Sequence, residues 1–206
     1  YKKRAALEVS LGCKINPPTG NTRRIPDHAP RLGYDLLNGV MLVGSDGHYW
    51  PGPAATAQRG FVKMIWELQP KIVIMNGDVI DACSISSHPP IGWASMPTIQ
   101  QEIEAAQARL GEIELAAGKV RKLWPLGNHD SRFETRLATI APEFAKVVGS
   151  SLSDHFPLWE PCWSVFINDN VVVKHRFKSG VHAPHNNTVN SGRTIVTGHL
   201  HSAKIA

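Results

Sequence analysis

The chain has 206 residues, 42% of them hydrophobic, which suffices for one domain with a real core and is short for two. No run of eighteen apolar residues occurs, so nothing reads as a membrane span. The formal net charge of +5 suits an anionic substrate and would not repel nucleic acid, but no Lys/Arg block exceeds Lys2-Lys3-Arg4.

The N-terminus starts basic like a signal peptide, and Glu8, Ser10 and Lys14 then break the apolar run that should follow, so the expected location is the cytoplasm. Cys13, Cys83 and Cys162 are widely spaced and form no CxxC pair, which predicts free thiols and argues against a disulfide scaffold or a thiolate zinc site.

Residues 1–38, rich in Pro, Gly, Asn and Arg, read as an N-terminal arm or lead-in, and residues 39–206 as the working domain. Val40 to Val43 predicts a short buried strand ended by Gly44. Phe61, Met64, Ile65 and Leu68 recur at helical spacing until Pro70. Lys71 to Met75 is a second buried strand, followed by a polar, Pro-rich loop from Ser84 to Pro97. Ile99, Ile103, Ala106, Leu110 and Ile113 mark one face of an amphipathic helix, with Thr98 and Gln101 placed for a capping box. Val120 to Leu126 is a third strand. Ser131 and Glu134 are candidates to cap the next helix, which Pro142 interrupts or restarts.

After Ser150 the pattern reads as β-rich. Trp163 to Ile167 and Val171 to Lys174 flank Asn168-Asp169-Asn170, which predicts a hairpin. Thr194 to Thr197 is a last short strand. Alternating strands and helices followed by a β-rich half predict an α/β protein with helices covering a central sheet.

Each of five predicted strands runs into a loop bearing possible metal ligands, and carboxyl-end loops are where open α/β sheets bind their ligands. The loops are Asp46-Gly47-His48; Gly77-Asp78-Val79-Ile80-Asp81; Gly127-Asn128-His129-Asp130; His175 after Val171 to Lys174; and Gly198-His199-Leu200-His201. A carboxylate and an imidazole two residues apart can grip one cation, and a carboxylate directly after a strand can bridge two. Singly, each is ordinary turn chemistry. Five in order, each at a strand end, point to a shared crevice.

This ordered set of D-x-H, GDxxD, GNH(D/E), a lone His and GHxH resembles the calcineurin-like metallophosphoesterase superfamily, over about three quarters of the chain from Asp46 to His201. Gly127 to Arg132 and Ser86-Ser87-His88 look most like its phage-type members. The resemblance implies a sandwich of central β-sheets flanked by helices, with the metal site at the carboxyl ends of the strands and the metallophosphoesterase domain over residues 39–206. It implies two divalent ions, one held by Asp46, His48, Asp78 and His201, the other by Asp78, Asn128, His175 and His199. His129 would face the substrate, its imidazole oriented by Asp81 or Asp130.

Two divalent ions outweigh the charge of Asp46 and Asp78, so such a centre stays positive and suits a phosphate. Two ions held roughly 3.5–4 Å apart can activate water and clamp attacking and leaving oxygens. N and O ligands suit manganese first, with Fe, Zn, Co or Ni as alternatives. His182 and His185 compete with His175 as the lone ligand. His88, Arg132 and Arg136 are either substrate contacts or solvated side chains, and Trp50 and Trp93 either stack on substrate or pack loops. The expected activity is hydrolysis of phosphate mono- or diesters. A nuclease acting on DNA or RNA is the main rival, and an inactive metal-binding interaction module of the same fold is a third reading. No Gly-rich phosphate loop is present.

Overall fold

A computed structural model of the chain describes residues 27–89, 92 and 95–201. Most of the expected arm, together with Cys13 and Trp93, lies outside the described residues.

The chain is an α/β protein with two four-stranded sheets. The first holds β2 (Met41–Gly44), β3 (Ile72–Met75), β4 (Arg121–Pro125) and β5 (Glu160–Cys162) in that order, all parallel. The second has the order β1 (Leu32–Tyr34), β6 (Val165–Ile167), β7 (Val171–Val173) and β8 (Thr194–Val196). Its only antiparallel pair is β6–β7.

Helix α1 (Thr56–Leu68) follows β2, and α2 (Ile99–Ala117) follows β3. After β4 come α3 (Ser131–Ile140) and the short α4 (Leu152–His155), and α5 (Ala183–Ser191) leads into β8.

Side-chain alternation along β3 explains the layering. Val73 and Met75 pack with Ile65 of α1 and with Ile103, Ala106, Leu110 and Ile113 of α2. Ile72 and Ile74 face the other way, joining Leu123, Cys162, Val165, Ile167 and Val173 in a core between the two sheets. The first sheet is therefore buried on both faces, as an all-parallel sheet requires.

Several expectations hold closely. The capping box of α2 forms, with Thr98 Oγ1 accepting the Gln101 N–H while the Gln101 side chain accepts the Thr98 N–H. The hairpin forms, and Asn168 and Asp169 both take the positive φ its tight turn needs. Cys83 and Cys162 are free, and burial pushes each thiol up to about 12.

Others need correction. Ser131 and Glu134 do not cap α3: Ser131 Oγ donates to Asn128 O, and Glu134 turns outward to His28 Nε2 at 2.9 Å and Leu152 N at 2.7 Å. On α1, Met64 and Leu68 stay substantially exposed while Ile65 is buried, so the buried stripe is narrower than its spacing suggested. The β-rich second half, with strands β5 to β8, also holds two helices not expected from the sequence pattern, α4 and α5. Residues 32–34, counted within the lead-in, form a strand of the second sheet. Among the described residues, no helix is long and apolar enough to cross a membrane.

Candidate metal centre

The loops after β2, β3, β4, β7 and β8 leave the carboxyl ends of both sheets and meet. Backbone bonds tie them together: Asp46 N–H to Gly77 O, His48 N–H to Asp78 O, and Gly198 N–H to His175 O. Among the described residues, three groups offer ligand atoms within 4.8 Å of one another: Asp46, His48 and His201; Asp78, His175 and His199; and His48, Asp81 and His129. The first two, the donor sets, hold residues expected as ligands, and in the third Asp81 lies between the imidazoles of His48 and His129.

Asp78 faces both sets. It is 1% exposed, and its Oδ2 lies 3.0 Å from His175 Nε2 and 3.8 Å from His48 Nε2. Its Oδ1 accepts the His129 N–H at 2.9 Å. Burial pushes the Asp78 carboxyl up, but the close approach of the His175 imidazole, with the His129 N–H bond and the nearby His129 ring, outweighs it and leaves the group below its ordinary range.

The histidines are oriented as ligands should be, with the far ring nitrogen tied and the near one open. His175 Nδ1 donates to Asn76 O at 2.7 Å, which fixes its tautomer. Its buried Nε2 approaches Asp78 without the angle of a hydrogen bond and has no partner. His48 Nδ1 faces Asp81 Oδ1 at 3.3 Å, and its buried Nε2 is likewise unpartnered. The buried Asn128 Oδ1 also lacks a donor. Both side-chain polar atoms of the buried Asn76 are unpartnered as well, and each such atom costs on the order of 1–3 kcal/mol unless something fills it. Nitrogen and oxygen atoms around a central carboxylate fit a divalent cation.

Protonation follows the same geometry. The Asp81 hydrogen bond raises the His48 pKa against the pull of burial. Burial lowers that of His175, yet Asp78 raises it further. Burial, aided by His175 and Arg176, lowers that of His199 and favours the neutral, ligating form.

Of the residues proposed as ligands, Asp46, His48 and His201 meet in one set and Asp78, His175 and His199 in the other. Asn128 belongs to the loop that also carries His129. His182 and His185 are exposed at the start of α5 and belong to neither set, so His175 is the lone histidine. His201 is the most open ligand candidate, its side chain 59% exposed with Nε2 3.1 Å from Asp46 Oδ1.

Five of these residues, Asp46, His48, Asp78, His199 and His201, have positive φ. Such backbone is costly for non-glycine residues and persists only where surroundings impose it, commonly at functional sites.

His129 lies beside both sets, its ring centroid 4.9 Å from that of His48. Its Nδ1 faces Asp81 Oδ1 at 2.5 Å, which leaves Nε2 toward the donor sets, 3.9 Å from Asp78 Oδ2. Arg132 reaches the same place: Nη1 donates to Asp81 O at 2.9 Å, and Nη2 is 3.4 Å from His129 Nε2.

Asp81, not Asp130, orients His129. The fully buried Asp130 accepts the N–H groups of Asp78, Val79, Ile80 and Gly127 and the Trp124 indole N–H. Burial and the nearby charge of Asp78 raise its pKa. It anchors the loop, and none of these bonds involves the His129 imidazole. Arg136 and His88 are exposed, and Trp50 is half-exposed.

No protein-family model and no curated protein matches this chain.

The glycines of the loops have a steric reason. A Cβ on Gly127 would sit 2.0 Å from Asp78 Oδ1, one on Gly77 2.5 Å from His175 Cγ, and one on Gly198 2.4 Å from Asp46 Oδ2. Each glycine lets its backbone press against a candidate ligand from another loop. Gly127→Ala should therefore displace Asp78, weaken cation binding on the order of 10–100-fold, and destabilise the fold by about 1–3 kcal/mol. Gly60→Ala, in α1 with open space around it, is the control and should do neither. Metal content after dialysis and a thermal melt decide; unchanged metal content in Gly127→Ala would contradict the packing argument.

Proposed function

We propose that this chain is a calcineurin-like metallophosphoesterase of phage type, hydrolysing phosphate mono- or diesters at a dinuclear divalent metal centre. The observation that carries the reading is the adjacency of the two donor sets, with the buried Asp78 of one reaching within 3.8 Å of His48 of the other, and with ligand atoms of His48, Asn128 and His175 lacking a hydrogen-bond partner. Asp46, His48, Asp78 and His201 would hold one ion, and Asp78, Asn128, His175 and His199 the other.

Bound divalent cations, manganese first, supply Lewis acidity and make water nucleophilic near neutral pH. The chain's own groups do the rest. Asp81 fixes the His129 tautomer so that Nε2 is the atom that meets substrate. With Nδ1–H turned to Asp81, only the doubly protonated imidazole carries a proton on Nε2, and in that form His129 can hand it to the departing oxygen. Arg132, packed against that imidazole, adds positive charge where a phosphate would sit.

Two measurements test this. Manganese at a hundredfold excess over Kd should stabilise the chelator-stripped protein by about 2.7 kcal/mol, and chelation should reverse the rise in melting temperature. A panel with added manganese should show hydrolysis of a bis-aryl phosphodiester, a phosphomonoester, a cyclic nucleotide, or single- or double-stranded DNA. Turnover of DNA alone would make the protein a nuclease. Metal-dependent stabilisation with no turnover of any ester would leave a metal-binding module and sink the enzymatic reading.

A further inference from the structure

The six consecutive backbone N–H groups from Asp78 to Cys83 all donate to buried carboxylates. Asp78, Val79 and Ile80 donate to Asp130. Asp81, Ala82 and Cys83 donate to Glu102, at 3.1, 2.5 and 3.1 Å, and Cys83 Sγ adds a fourth contact at 2.9 Å. Glu102 belongs to α2, outside all five loops, and is fully buried. A charge is tolerated there because donors fill its oxygens. Ala82 holds φ at +50°, a conformation that a non-glycine residue keeps only under restraint.

What Glu102 restrains is the backbone that carries Asp81. The Asp81 carboxylate in turn faces two imidazoles, His129 Nδ1 at 2.5 Å and His48 Nδ1 at 3.3 Å. The other donor set is held separately: Asp78 N–H by Asp130, and His175 by Asn76 O.

We propose that Glu102 is a positioning residue of the centre, acting through Asp81 on His48 and His129, and so on the Asp46–His48–His201 set but not on the Asp78–His175–His199 set. The proposal rests on the dinuclear reading above. It makes the two cation sites unequal in their dependence on one residue remote from both. A residue that merely tied α2 to its neighbouring loop would not discriminate between them.

The test is calorimetric titration of the 206-residue chain with manganese in two backgrounds. His199→Ala leaves the Asp46 side, and His201→Ala leaves the Asp78 side. Glu102→Gln keeps the shape but turns one oxygen into an amide donor facing other donors. It should weaken manganese binding on the order of tenfold in the His199→Ala background, and by less than about twofold in the other. Cys83→Ala, which removes only the thiol contact, should change neither. Glu102→Asp restores the charge on a shorter arm and should recover part of the loss. If Glu102→Gln does not fold, Glu102→Asp in the same two backgrounds carries the comparison.

Equal weakening in both backgrounds, or a lowered melting temperature with both affinities intact, would overturn the proposal. A parent chain that binds no manganese would instead defeat the metal reading, and this proposal with it. A parent that binds two ions but hydrolyses no ester would defeat only the proposed activity, because the asymmetry is read from binding.

Discussion

Asp78→Asn should release both cations and abolish hydrolysis in a single step. The side chain is buried at the junction of the loops, and its Oδ2 is near the Nε2 atoms of both His175 and His48. A carboxylate so placed can serve two ions; an amide of the same shape brings no charge and at most one good ligand atom. Asp78 is held below its ordinary pKa range in the folded chain, so the substitution removes a full negative charge at neutral pH. Second-layer partners of metal ligands are worth 10–100-fold in affinity, so a bridging ligand should cost at least on the order of 100-fold. The fold should survive, because the amide oxygen can still accept the His129 N–H that Asp78 Oδ1 now accepts. Metal analysis, a melting curve and a rate on the best ester decide. A variant that keeps two ions per chain and full activity would refute the bridging role.

The candidate site was more legible in the sequence than the fold around it, for a physical reason. Ligand residues are short, polar and tied to strand ends, so their spacing survives in the one-dimensional pattern. Asp46-Gly47-His48 and Gly198-His199-Leu200-His201 stand out because histidine and aspartate beside glycine are not needed for packing. The strands that escaped notice were β1 and β5. Glu160-Pro161-Cys162 carries a proline, which removes a ladder donor and argues against a central strand, yet β5 is an edge strand where proline is tolerated. Leu32-Gly33-Tyr34 is too short to show alternation, and its pairing with Val165 to Ile167 joins segments far apart in sequence. Helix α5 was hidden by Asn186, Asn187, Thr188 and Asn190, which compete locally with helix formation. Tertiary packing overrides that preference by burying Ala183 and Asn187.

The two buried carboxylates show the limit from the other side. Glu102 stands four residues before Ala106 in the apolar stripe of α2, a charge on a face that should be buried, and that was the available signal. Asp130 was visible as part of Gly127-Asn128-His129-Asp130, but not the direction it takes. Three backbone N–H groups of the loop after β3 claim it, a contact between residues some fifty positions apart. Local spacing identified chemistry-bearing residues; which of them faces the cleft depended on the loop packed opposite.

His129→Ala separates holding the ions from moving the proton. His129 lies outside the Asp46–His48–His201 and Asp78–His175–His199 sets and is grouped with His48 only through Asp81, which engages its Nδ1, while its Nε2 is 3.9 Å from Asp78 Oδ2. The interaction that Asp78 does draw from this residue is the backbone N–H, which alanine retains. Both metals and the fold should therefore remain. Loss of a general acid is typically worth about 10²–10⁴-fold in rate, and the loss should be greatest for an alkyl ester, whose departing alkoxide needs a proton. A nitrophenolate leaves without that help, so its hydrolysis should fall much less. The measurement is the mutant-to-parent ratio of kcat for an alkyl and a nitrophenyl ester at saturating manganese. Arg132→Lys supplies the contrast, because it keeps a positive charge beside the site while losing the paired contacts to Asp81 O and His129 Nε2. Its losses should be alike for the two esters and should fall mainly on KM. Equal losses for both esters in His129→Ala would instead assign His129 to positioning the phosphate, with the proton coming from elsewhere.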